Sequence, residues 1–179
     1  MKKAPLSRET LLPPLAAHVL KHGLNGASLR PLAKAAGTSD RMLIYHFGNK
    51  EKLIVDLLSY VVQQYARALD KAMGGRRAAS RKACLARIMA ESRKPSMQPF
   101  QALWWEIVAG AARDLPGYKR ASEAVMTHLL DWLENEMPAN DPDPRGGARY
   151  LLTMIEGAQM LGVVGHARTA REGLLASGL

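Results

Sequence analysis

A chain of 179 residues, 47% hydrophobic and with a formal net charge of +9, has enough apolar side chains to bury a substantial core and is not of disordered composition. Its single cysteine, Cys84, excludes an intramolecular disulfide framework and a thiolate metal cluster, and points to a reducing cytoplasm. The longest apolar run, Leu151 to Gly165, is broken by Glu156 and too short for a bilayer, and Pro13, Pro14, His18 and Lys21 break the N-terminal one, so neither a membrane span nor a signal peptide is expected.

The charge is unevenly placed. Residues 1–50 hold Lys2, Lys3, Arg8, Lys21, Arg30, Lys34, Arg41 and Lys50 against Glu9 and Asp40, a net of +6. Such a field suits a polyanion, because each cation that neutralises a phosphate releases condensed counterions. By charge alone, an anionic membrane surface or a merely solvated basic face fits as well.

Apolar residues recur at helical spacing nearly throughout and no stretch alternates as a strand does, so the chain reads as all-α with about nine helices. In the first, Leu11, Leu12, Leu15, Ala16, Val19 and Leu20 form one stripe ending near Gly23. An interior proline costs about 3 kcal/mol, so Pro13 and Pro14 predict a helix that starts close to Leu12 or kinks there. Ser28 then caps a short helix with Pro31 in its first turn, closed by Ala35, Ala36 and Gly37. Ser39 caps another from Asp40 to Phe47, stopped by Gly48. Asn49 caps a long helix with Leu53, Ile54, Leu57, Leu58, Val61 and Val62 on its buried face, ended by Gly74 and Gly75. Further helices are expected over Arg77–Arg93, Pro99–Arg113 and Gly117–Met137, then a proline-rich loop from Pro138 to Gly147, then helices over Ala148–Gly165 and Ala167–Ala176. Cys84 falls in an apolar helical stretch and reads as a buried filler.

Residues 28–47 have the anatomy of a helix-turn-helix: a capped helix, small residues where helices approach closely (Ala33, Ala36), a glycine at the turn, and a second capped helix. The segment SLRPLAKAAGTSDRMLIYHFGNKEKLI resembles the DNA-binding signature of the TetR family of transcriptional regulators. That resemblance implies an N-terminal three-helix DNA-binding domain over 1–50 and a helical ligand-binding and dimerisation domain over 51–179. It also implies a repressor that binds palindromic double-stranded operator DNA as a homodimer and is released by a small, often hydrophobic effector, with no cofactor.

Carried over by position, Thr38, Ser39, Asp40, Arg41 and Met42 face DNA in the major groove, with Arg30 at a base-contacting site on the preceding helix. Arg30 and Arg41 are the specificity candidates, since a guanidinium fork matches guanine O6 and N7, and Asp40 is expected to orient Arg41. Tyr45, His46 and Lys50 are expected at phosphates, Lys50 at the start of the long helix. The family's usual tyrosine falls at Ile44, one position before Tyr45. Phe47 reads as a core plug.

For the effector, Met89, Met97, Phe100, Leu103, Trp104, Met126, Leu130, Met154 and Met160 are candidate pocket lining, with Glu106, His128 and Glu156 as polar groups that need partners. Packing alone would explain most of them. Leu151, Leu152, Ile155, Gly157, Ala158, Leu161, Gly162, Val164 and Gly165 are the expected dimer contacts, small residues permitting close helix approach across a twofold axis.

Two other functional classes compete with this reading. His18 and His22 have metal-ligand spacing, but no HExxH carboxylate, GxSxG, Walker or dinucleotide fingerprint accompanies them, so an enzyme is not expected and no metal site is assigned. The cluster Arg76, Arg77, Arg81, Lys82 and Arg87 would suit non-specific nucleic-acid binding and otherwise reads as solvated. An activator or a ligand-independent regulator shares every feature above.

Overall fold

The computed structural model describes residues 6–24, 28–74 and 76–178. Among them are nine α-helices and no strand: α1 Arg8–His22, α2 Leu29–Ala35, α3 Asp40–Phe47, α4 Lys50–Met73, α5 Arg81–Ser92, α6 Gln98–Ala112, α7 Tyr118–Glu136, α8 Pro144–Val163 and α9 Ala167–Ala176, with a 3-10 turn at Pro95–Met97 before α6. The all-α class read from periodicity is the class observed. Lys2, Lys3 and Gly75 lie outside the described residues.

The chain packs as two compact units, Met1–Tyr65 with Pro95–Met126, and Ala66–Lys94 with Thr127–Leu179; α4 and α7 supply residues to both. The core of the first gathers Leu11, Leu15 and Val19 from α1, Leu32 from α2, Leu43 and Phe47 from α3, Leu53, Leu57 and Leu58 from α4, and Leu103 and Ile107 from α6. That of the second gathers Met73, Cys84, Ile88, Met89, Leu133, Met137, Leu151 and Ile155.

Three helix boundaries differ from expectation. α1 begins at Arg8 and runs through Pro13 and Pro14. Those prolines supply no N–H to the Glu9 and Thr10 carbonyls, but both residues are exposed, where water can bond them. The Ser7–Thr10 capping box starts the helix, and buried Leu11, Leu15, Ala16 and Val19 hold it. α5 starts four residues later than expected because the Ser80 side chain accepts from the Ala83 N–H. The expected loop up to Gly147 ends early: Asp143 accepts from the Gly146 N–H and Pro144 takes the first turn of α8, as a proline there can.

In the second unit, two members of the basic cluster are internal ties rather than solvated charges. Arg81 forms a fork with Asp141 at 2.7 and 2.6 Å and donates to the Asp143 carbonyl at 2.9 Å. Arg87 donates to the Met73 carbonyl and, at 3.0 Å, to that of Arg76, capping the C-terminal end of α4.

Candidate nucleic-acid interface

Helices α1, α2 and α3 and the start of α4 build the candidate site, all within the first unit. The turn between α2 and α3 depends on Gly37, which takes φ +64°, a conformation a Cβ penalises; the Thr38 N–H then bonds the Ala33 carbonyl at 2.9 Å. Ser39 starts α3 with its hydroxyl accepting from the Met42 N–H at 3.3 Å. Gly48, at φ +88°, stops it and donates to the Ile44 carbonyl at 2.7 Å. Asn49 Oδ1 accepts from the Lys52 N–H at 2.8 Å to begin α4.

α3 is two-faced. Leu43 and Phe47 are fully buried, while Ser39, Asp40, Arg41 and Tyr45 are exposed and Thr38 and Met42 half-buried. Spacing by three and four residues separates these faces. Arg30 and Lys34 stand exposed on α2 and Lys50 at the first residue of α4. Among the described residues, Arg30, Arg41, Tyr45 and Lys50 make no side-chain hydrogen bond or ion pair, so their polar ends are available. Tyr45 is 77% exposed, which folding alone does not favour for a large aromatic side chain.

Two expectations need revision here. Asp40 makes no ion pair with Arg41; it stands exposed in the first turn of α3, where its charge suits the positive helix end. The His46 ring lies edge-on to Tyr45 at 5.2 Å with its Nε2 buried and unpartnered, so that nitrogen is not presented to solvent.

Two further residues hold this site: Arg8, which the sequence offered only as one of its charges, and Glu106, which it offered as a polar group in need of a partner. Arg8 Nε donates to the His46 carbonyl at 2.6 Å, while Nη1 lies 3.4 Å from Asp56 Oδ2. Glu106 on α6 accepts the Leu24 N–H at 2.6 Å, next to the end of α1. Neither has a local signal, because each partner includes a distant backbone group. His18 and His22 place their rings 4.7 Å apart on α1, and no group of three metal-ligating side chains occurs among the described residues.

The effector candidates fall in both units. Phe100 and Trp104 pack against the first core, Phe100 with its ring 5.6 Å from that of Tyr65; Met97 is buried and Met126 half-buried in the same unit. In the second, Met89 is core, Met154 half-buried and His128 exposed. Leu130 lines a groove of about 320 Å³ between α7 and α8, with Thr127, Asp131, Glu134, Arg145, Ala148 and Arg149. Of the dimer candidates, Leu151, Ile155 and Ala158 are buried in the protomer's own core, whereas Gly157, Gly162, Val164 and Gly165 are exposed and Leu152 and Leu161 half-buried.

Residues 16–57 match the family model described as bacterial regulatory proteins, tetR family. Over 70 residues the chain is 29% identical to the HTH-type transcriptional repressor NicS of Pseudomonas putida, a match that spans 39% of this chain and 33% of that protein. The fold is similar to that of a transcriptional regulator from Rhodococcus sp. Rha1, with a TM-score of 0.66 at 20% identity, covering 94% of this chain and 92% of the other. It is also similar to the multidrug binding protein EbrR complexed with proflavin, with a TM-score of 0.67 at 18% identity, covering 94% and 98%. The segment that matches the tetR family of bacterial regulatory proteins, residues 16–57, spans the exposed arginine-bearing face of α3 and its glycine turn.

Proposed function

We propose that the protein is a transcriptional repressor that binds a palindromic operator as a homodimer and is released by a small, largely hydrophobic ligand in the cytoplasm. The observation that carries the reading is the free, exposed face of α3: Arg41 and Tyr45 unpaired on a helix whose opposite face is locked into the core. Arg41 and Arg30 read bases, Thr38, Ser39, Asp40 and Met42 complete the groove contact, and Tyr45 and Lys50 set register on phosphates. Functionally, residues 1–50 form the DNA-binding part and 51–179 the ligand-binding and dimerisation part.

Similarity to NicS supports repression, and the proflavin complex of EbrR supports a ligand with a flat apolar body. Met97, Phe100, Trp104 and Met126, which share the first unit, are the candidates for it. The dimer uses the outer face of α8 and α9. Met160, Val163, Val164 and Leu175 are exposed there at 46%, 62%, 59% and 75%, more than an isolated helical protomer needs to leave in water. Gly157, Gly162 and Gly165 meet nothing within 4 Å on their Cβ side, which leaves room for a second helix.

DNase footprinting on DNA flanking the protein's own gene, with random competitor and varied salt, tests this. A protected inverted repeat that survives competition is the expected result. Weak uniform protection that vanishes as salt rises would reduce the protein to a charge-driven binder.

A further inference from the structure

Three contacts converge on Arg8, which lies in the first turn of α1 and outside the helix-turn-helix. Its Nε–H donates to the His46 carbonyl at 2.6 Å. Nη1 lies 3.4 Å from Asp56 Oδ2 on α4. The guanidinium carbon stands 5.7 Å from the centroid of the Phe47 ring.

His46 and Phe47 are the last two residues of α3, which is 8 residues long. The final carbonyls of a helix have no partner within it; here Gly48 takes that of Ile44 and Arg8 takes that of His46. So short a helix has little stability of its own, and its set relative to DNA follows from what holds its ends. Ser39 secures one end and Arg8 the other. Phe47 is fully buried, so the ring beneath the guanidinium is a fixed surface.

We propose that Arg8 is a positioning residue for DNA recognition: it ties the C-terminal end of α3 to α1 and α4 and so sets the angle at which Arg41 meets the bases, without itself contacting a phosphate. The inference rests on the DNA-reading function proposed above. Asp56 aims the guanidinium and offsets its charge. Lysine is no substitute, because a point ammonium cannot bond the carbonyl, face the carboxylate and stand over the ring together.

Asp56 separates positioning from field. Removing its carboxylate adds a positive charge, which strengthens DNA binding if charge alone matters, but weakens discrimination if the carboxylate aims Arg8.

The test uses full-length wild type, Arg8→Lys, Arg8→Ala and Asp56→Asn. Each is titrated by fluorescence anisotropy against a duplex that the wild type selects from random-sequence DNA, and against a scrambled duplex, over a range of KCl, with thermal melts to confirm folding. Both Arg8 variants are expected to lose about tenfold on the selected duplex, with little loss on the scrambled one and an unchanged salt slope. Asp56→Asn should lose discrimination despite its added charge. Should Arg8→Ala fail to fold, Arg8→Lys, which keeps the charge, decides. Equal losses on both duplexes with a slope shallower by about 0.9 would make Arg8 a phosphate contact and overturn the inference. So would wild-type discrimination in Arg8→Lys. A wild type that selects no duplex overturns the DNA-reading function and the inference together, an outcome distinct from a selective wild type matched by its Arg8 variants.

Discussion

The Glu106 carboxylate accepts the Leu24 backbone N–H at 2.6 Å and lies so close over Gly23 that a Cβ there would overlap it. One side chain of α6 thereby secures the segment that leaves α1 for the helix-turn-helix. Glu106→Ala strands the N–H of a residue only 6% exposed, so a loss of roughly 1–3 kcal/mol is expected in urea denaturation. Glu106→Gln keeps an acceptor and should lose less. Gly23→Ala should be the more damaging change, since Gly23 also sits at φ +73°.

Arg41 and Lys50 should fail differently. Arg41→Ala is expected to lower specific affinity by about 1–3 kcal/mol and relax base preference at one operator position. Lys50→Ala should weaken all sequences alike and reduce the salt slope by about 0.9. Competition binding with single-base operator variants distinguishes the two, and a change of preferred base in Lys50→Ala would contradict the assignment.

The second unit should show a pH-dependent tie. The hydrogen bonds from the Arg81 guanidinium hold the Asp141 carboxyl below the usual carboxylate range. A depressed folded-state pKa contributes stability that is complete above the unfolded value, about 3.9, and is lost as pH falls through the folded one. Asp141→Asn should therefore be less stable at pH 7 by roughly 2 kcal/mol, and the gap should close in acid. Glu136 has the opposite sign: burial first, then Asp70, push its carboxyl up. Its contribution declines as pH rises from the unfolded value toward the raised one, so Glu136→Gln should raise stability at neutral pH.

Cys84 is fully buried and its thiol is pushed up to about 11, chiefly by burial. Since the thiolate is the reactive form, the native protein should resist a disulfide reagent at pH 8 and react only on unfolding. Fast stoichiometric labelling of the native protein would show that this core opens.

Val164→Glu, at a side chain 59% exposed, should leave the protomer fold intact and shift sedimentation from dimer to monomer. Desolvating an unpaired carboxylate in an apolar contact is the cause. An unchanged dimer would move the interface elsewhere.

What the sequence determined by itself was local. The run Asp40–Phe47 was legible because its Ser39 cap and Gly48 stop act within a few residues, and so was the helix-turn-helix, whose turn requires a glycine at position 37. The set assigned to α3 came from the family resemblance, and the structure exposes Ser39, Asp40, Arg41 and Tyr45 while burying Leu43 and Phe47. What only the tertiary structure decided was which local signals gave way. The α1 prolines stand within a helix because its tertiary face is buried and its freed carbonyls are exposed. Leu151 and Ile155 look identical in sequence whether covered by the protomer or by a partner, and only the packing of α8 against α5 and α9 shows that the protomer covers them. The partners of Arg8 and Glu106 were invisible for the same reason: the backbone groups they bond lie 38 and 82 residues away, and a backbone N–H or carbonyl is the same at every non-proline position until the chain has folded around it.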